Sequence, residues 1–375
     1  MPKVLIAMDS FKGTLSAPEA CDIVAQAFSR FSPHTELSVK PVADGGEGTA
    51  DVLIRACGGT FMDRTVTGPL MGMEVSAGFG LMDNPMTAVV EMAKASGLVL
   101  LEKKQRNPLL TTTYGTGQLI DAARCEGAAH ILLAVGGSAT MDGGVGAARA
   151  LGWRFLDGCG NDVPHGGGFL TTIQTIVSPP RPTEIPEISV LCDVNNPLCG
   201  PAGAAHTYAR QKGADDHMVA LLEEGLSHLA RLVKRDIGVD IRDLPGAGAA
   251  GGLAAGAVAF MNGSLTSGIE KVMACLNLSQ EIENADWVIT GEGSFDHQSL
   301  CGKVVGGIAA EAKRLKKKVG VIAGRVKLSE QACRREGIEA AAACAGDAID
   351  DDYAAGHAQE LLYKAAERLI KIMKV

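Results

Sequence analysis

Several shortages in the sequence each exclude a class of function. No two of its 10 cysteines form a CxxC pair, so neither a zinc knuckle nor a dithiol redox centre is written here. The 8 histidines contain no HxH or HExxH spacing, which removes the common zinc hydrolases. No GxxxxGK[ST] occurs, so there is no Walker A loop. Aromatic residues are 4% and the net charge is −8. Few stacking platforms and a mildly acidic surface argue against nucleic acid or an anionic membrane as partner. A small anionic substrate needs only a local cationic cluster and stays open. The longest uncharged apolar run, 246–261, has 16 residues and five glycines. That is short for a membrane span, and it is expected to be a buried, glycine-rich helix. The apolar start at 4–8 meets Asp9 too early for a signal peptide. A cytoplasmic protein with free thiols is the expectation.

What the sequence does have is glycine, 47 of 375 residues, in clusters without a period. Clustered glycine marks tight turns and close backbone approach to a ligand. Hydrophobic residues at 46% and charged residues at 21% describe a globular chain, whose length favours two domains at about 150 residues each. Continuous apolar runs at 4–8, 131–135, 189–192, 286–290 and 319–323 read as strands buried on both faces, with 36–41 a further short strand and 340–344 a weaker one. Helices follow, the first opened by the capping box Ser16-Ala17-Pro18-Glu19 and the last running over 354–373. Alternating strands and helices imply an α/β fold with mainly parallel sheet. Residues 61–90 read as antiparallel hairpins, and 153–190 as hairpins or loops, so the middle of the chain is expected to be an inserted domain.

In open α/β sheets ligands lie outside the carboxyl ends of the strands, and the polar clusters fall there. Asp9, Ser10 and Lys12 follow the first strand, where they suit an anion at a helix start or simply cap the turn. Asp44, Gly45, Gly46 and Glu47 set two carboxylates among glycines, suited to a hydroxyl or to Mg²⁺ through water, or to favourable charge at a helix start. Gly136, Gly137, Ser138, Thr140 and Asp142 follow a buried strand and read as a phosphate cradle. Asp193 ends another strand as a general base, a metal ligand or an Asx turn before Pro197. Glu292, Asp296 and Lys303 add two acids and a cation after the strand ending at Ile289. The run 246–251 matches GxGxxG but follows Asp243-Leu244-Pro245 and no strand, so a dinucleotide site is not expected there.

These blocks form one colinear series: DSFKGT (9–14), ADGGEGT (43–49), GTG (115–117), GGSAT-x-DGG (136–144), CDV-x-NPL (192–198), QKGA (211–214), GAGAAGG (246–252), GIE (268–270), TGEG-x-x-D (290–296) and GK (302–303). The series resembles the bacterial type I glycerate kinases. The resemblance implies two α/β domains. One is Rossmann-like with mainly parallel sheet, formed by 1–62 and 280–375. The other, 63–279, has a mixed sheet, and the active site is in the cleft between them. It further implies phosphorylation of D-glycerate by ATP and Mg²⁺, usually to 2-phosphoglycerate. Asp193, Lys12 and Asp296 are then candidates for catalysis. Lys12 and Lys303 are candidates for the phosphates or the glycerate carboxylate. Asp44, Glu47 and Asp142 are candidates for the glycerate hydroxyls, and Asp44 and Asp142 also for the metal. Met141, Arg210 and Arg325 depart from the family's usual residues, and Arg210 and Arg325 either alter substrate preference or decorate the surface. The rival readings are a kinase of a related small sugar acid, an NAD-dependent hydroxyacid dehydrogenase and a non-catalytic sensor. Self-association is left open.

Overall fold

In the computed structural model, residues 1–373 are described apart from Lys12, 84–85, 181–184, Cys301 and 347–348. The chain forms two compact units, one of Met1–Asp44, Asp51–Cys57 and Ser267–Val375, the other of Gly45–Ala50 and Gly58–Thr266. The divisions between the units fall at 44/45, 50/51, 57/58 and 266/267. The strand starting at Thr60 pairs wholly within the second unit, and the helices Gly268–Cys275 and Leu278–Asn284 belong to the first.

The first unit opens with β1 (Lys3–Met8), every residue of which is buried beyond Lys3. The helix Ala17–Phe31 follows. Ser16 caps it: its hydroxyl accepts from the Glu19 N–H, and the Glu19 carboxylate accepts from the Ser16 N–H at 2.9 Å. Next comes β2 (Glu36–Val39).

The second unit then contributes β3 (Thr60–Thr67), β4 (Glu74–Asp83), β5 (Met86–Glu91), β6 (His130–Ala134), β7 (Arg154–Leu156), β8 (Thr175–Val177), β9 (Glu187–Leu191) and β10 (Gly263–Thr266). Its six-stranded sheet has the order β10-β9-β6-β5-β4-β3. β5, β6, β9 and β10 run parallel, while β3 and β4 are antiparallel as the hairpin pattern predicts. β7 and β8 form a separate antiparallel pair. The apolar run 246–261 is helical only over Leu253–Phe260; before it, Ala250 and Gly251 adopt left-handed conformations. The glycines expected to lie in a helix interior there serve a turn instead.

Back in the first unit, β11 (Trp287–Phe295), β12 (Lys318–Val326) and β13 (Ile338–Ala343) complete a five-stranded sheet, β13-β12-β11-β1-β2, parallel throughout. In chain order this is the doubly wound 2-1-3-4-5 pattern, whose order reverses between β1 and β11. The helices Ala17–Phe31 and Ala358–Met373 pack on one face, through Val24 and Phe28 of the first and Leu362, Leu369 and Ile370 of the second. The nine cysteines among the described residues are free. No helix of these residues is long and apolar enough to cross a membrane.

Candidate active site

Parallel pairing carries the ends of β5, β6, β9 and β10 to one edge of the second sheet, and Glu91, the loop 136–144 and Asp193 stand there. The loop after β6 is held from several sides. The Ala139 N–H donates to the Ser96 carbonyl at 2.9 Å, and the Leu98 N–H to the Gly137 carbonyl at 2.8 Å. Thr111 Oγ1 donates to the Ala139 carbonyl at 2.8 Å, and the Gly143 N–H to the Gly251 carbonyl at 3.1 Å.

Beneath the loop lies Lys212, 2% exposed. Its Nζ donates to Ser138 Oγ at 2.7 Å and to the Thr140 carbonyl at 2.8 Å, with Met141 Sδ at 3.7 Å. Burial lowers the ammonium pKa to about 7, against the pull of Asp142. This cation belongs to the QKGA block but ends no strand, so the strand-end rule passes over it.

Asp142 is 1% exposed. Its Oδ2 accepts from the Thr113 N–H at 2.8 Å, Thr113 Oγ1 at 2.9 Å and the Gly146 N–H at 3.2 Å, and its Oδ1 accepts from the Gly144 N–H at 3.2 Å. Burial raises its pKa against those bonds. The expectation that Asp142 binds a metal or a substrate hydroxyl meets a physical objection here, because the fold already occupies both oxygens. Among the described residues no group of three acidic, histidine or cysteine side chains is placed to hold a metal ion. Mg²⁺ carried by nucleotide phosphates needs only one or two carboxylates, so that chemistry is compatible with the residues present.

The segment Gly45–Ala50 and the loop at Gly136 meet within this unit. A Cβ on Gly136 would come 2.9 Å from Gly46 Cα, so Gly136 tolerates no side chain there. Glu91, the last residue of β5 and 3% exposed, accepts the Ala50 N–H at 2.8 Å and fixes the segment that carries Gly45, Gly46 and Glu47. Burial raises its pKa. Glu91 stands at a strand end, where the strand-end rule applies, but in the apolar run 86–91 it reads as the end of a hairpin.

Asp193 is half-buried just past β9. The next turn is pinned where the Gly248 N–H donates to the Asn196 carbonyl at 3.0 Å. The GxGxxG match follows a turn closed by the Ala247 N–H on the Leu244 carbonyl, not a strand, and its glycines serve close packing.

In the first unit the edge where strand order reverses presents Asp9 and Glu292, 4% and 7% exposed. The Asp9 N–H donates to the Gly291 carbonyl at 2.9 Å, and Asp9 Oδ1 accepts from the Ser10 N–H at 2.6 Å. Asp44 shares the edge, two residues after Val42, whose N–H donates to the Met8 carbonyl at 3.0 Å. The Asp296 N–H donates to Ser299 Oγ at 3.0 Å. Lys303 is the cap residue of the helix Val304–Arg314. Lys12 lies outside the described residues.

Two of the three departures are structural in character. The Arg325 guanidinium donates to the Gly346 and Ile349 carbonyls at 3.0 and 2.6 Å and braces that turn. Arg210 pairs with Asp216 at 2.6 Å on the surface, worth at most about 1 kcal/mol. Met141 differs, since its thioether faces Lys212.

A doubly wound parallel unit and a mixed-sheet unit, each with acids, glycines or hydroxyls at its strand ends, define an α/β protein of two units with polar strand-end loops, the usual place of an α/β enzyme's site. The profile of the glycerate kinase family matches residues 4–374. The chain is 44% identical to a glycerate 2-kinase of Escherichia coli over 340 residues, 90% of this chain and 89% of that one. It is 41% identical to a glycerate kinase of Bacillus cereus over 375 residues, 100% of this chain and 98% of the relative. The crystal structure of a glycerate kinase 2 from Salmonella typhimurium LT2 superposes with a TM-score of 0.85 at 40% identity, covering 100% and 98% of the two chains. The chain belongs to the glycerate kinase family.

Proposed function

We propose that this enzyme transfers a phosphoryl group from ATP to the 2-hydroxyl of D-glycerate, giving 2-phospho-D-glycerate. The observation that carries the reading is the near end-to-end match to glycerate kinases. The structure supports it with a hydroxyl and glycines in the loop after β6 and a cation, Lys212, bonded to that loop from below. Phosphoryl transfer is mostly positioning and charge stabilisation, and the residues divide by what they can offer. Ser138, Gly136, Gly137 and Thr140 hold an anionic group of a substrate over Lys212. Asp193 accepts the proton of the attacking hydroxyl, with Asp296 the alternative. Asp9, Ser10, Asp44 and Glu292 place carboxylates and a hydroxyl at the reversal edge, suited to a hydrated Mg²⁺, and Glu47 and Lys303 attend the substrate's polar groups. Mg²⁺, when bound, neutralises charge on the phosphates. Asp142 keeps its place in this reading as the brace of the loop rather than a metal ligand. The GxGxxG segment gives no support to a dehydrogenase.

The test is ³¹P NMR of the product formed from Mg·ATP and D-glycerate. A 2-phosphoglycerate resonance is expected, lost in Asp193→Asn while ATP still binds. A 3-phosphoglycerate product would overturn the regiochemistry. No ADP formation would remove glycerate as substrate and direct the assay to other small sugar acids. A fully active Asp193→Asn enzyme would move the base to Asp296.

A further inference from the structure

We infer that Lys212 is a positioning residue that turns Ser138 into an anion-binding donor, its buried ammonium occupying the serine oxygen so that the hydroxyl proton faces outward to the substrate. The inference rests on reading the loop 136–144 as part of the substrate site.

A lysine this deeply buried is costly unless each of its N–H groups finds a partner. Two of the three do, in Ser138 Oγ and the Thr140 carbonyl, and the third meets only the weak thioether of Met141. The cation is not needed to close the loop. Backbone and threonine bonds from Ser96, Leu98, Thr111 and Gly251 already do that. Its distinctive contact is with Ser138, which is half-buried beside the exposed Gly137.

A hydroxyl has one proton to donate and two lone pairs. Below about pH 7, where the ammonium keeps its proton, a charged donor takes a lone pair, and among the described residues no protein acceptor takes the serine proton. A hydroxyl bonded this way is polarised and becomes a stronger donor. An anionic oxygen, a carboxylate or a phosphate, is the ligand chemistry that such a proton recognises. Lys212 thereby delivers charge to the substrate without touching it, and the ligand never competes with water for the ammonium.

The test is a double-mutant cycle read in steady-state kinetics, with D-glycerate and ATP varied separately. Lys212→Gln is expected to raise KM for one of the two substrates by about 10- to 100-fold, the range of a hydrogen bond to a charged group, with little change in kcat. The affected substrate identifies which anion sits on Ser138. Ser138→Ala should raise the same KM, and Lys212→Gln in the Ser138→Ala background should add almost nothing. Lys212→Arg, charged at every pH, should recover part of the loss. A Lys212→Gln effect that is fully additive with Ser138→Ala, or one that falls on kcat and both KM values alike, would reduce Lys212 to a structural brace.

Should Lys212→Gln fail to fold, Ser138→Ala alone decides, since unchanged KM values for both substrates would overturn the inference. If the wild-type protein makes no phosphoglycerate, the functional reading fails separately. The inference is then read from the rise in Tm given by ATP or by D-glycerate, expected in the wild type and reduced in Ser138→Ala. Equal shifts, or none, would overturn it.

Discussion

At the scale of single residues, Lys212 has a consequence that any folding assay can read. Its folded pKa is about 7 against an ordinary value of 10.5. Between those values the unfolded chain holds a proton that the folded chain lacks. Stability therefore rises with pH across that window, and the cost of burying the charge is greatest below about pH 7. Urea unfolding of wild type and Lys212→Met at pH 6, 7.5 and 9 isolates the effect. The wild type should gain on the variant above pH 7 by up to about 1.4 kcal/mol per pH unit, and a constant difference would show that the lysine titrates normally. Asp142 and Lys212 show why the loop was only half legible in the sequence. Glycines and small hydroxyls after an apolar strand announce a cradle. Nothing local shows that Asp142 will be consumed by Thr113 and the N–H groups of Gly144 and Gly146, or that the cation beneath comes from a turn some 70 residues away.

At the scale of elements, the segment 246–252 ties two loops of the second unit together. Gly143 bonds it on one side and Asn196 on the other. Gly251 is the tightest point: its φ is +65°, and a Cβ there would stand 1.9 Å from the Thr140 carbonyl, the same oxygen that accepts from Lys212. Gly251→Ala is expected to cost about 2 kcal/mol or more, from left-handed strain plus displacement of the loop. It should also lower activity beyond what the stability loss explains. Urea unfolding together with the kinetic constants checks both, and a variant with wild-type stability would contradict the packing. The inner parallel strands β1, β6, β9, β11 and β12 were legible because doubly covered strands are written as unbroken apolar runs, whereas the short edge strand β10 over Gly263–Thr266 has no such run and was missed. The helix expected over 246–261 was misread, because glycines in a turn and glycines in a buried helix give the same composition, and only the carbonyls they approach distinguish the two.

At the scale of the whole chain, each unit owns its core. The cluster around Phe79, Ile131, Val190, Leu226 and Leu253 draws only on the second unit, while the cluster around Ile6, Phe28, Ile289, Ile322 and Leu369 draws only on the first. The two differ in how the chain supplies them. The second sheet is built from one nearly continuous stretch. In the first, β1 pairs with β11 some 280 residues away, so residues 1–44 bring two strands of a five-stranded sheet and no partner for the inner edge of β1. An isolated strand pair is marginal in water, whereas a unit with its own core and complete sheet can fold alone. A fragment of 45–266 is therefore expected to show helical and strand circular dichroism and one cooperative thermal transition. A fragment of 1–57 should show neither, and should gain both when 267–375 is supplied in trans. A fragment of 45–266 that remains unfolded would mean that the second core depends on the first, and the two clusters would then have to be treated as one folding unit.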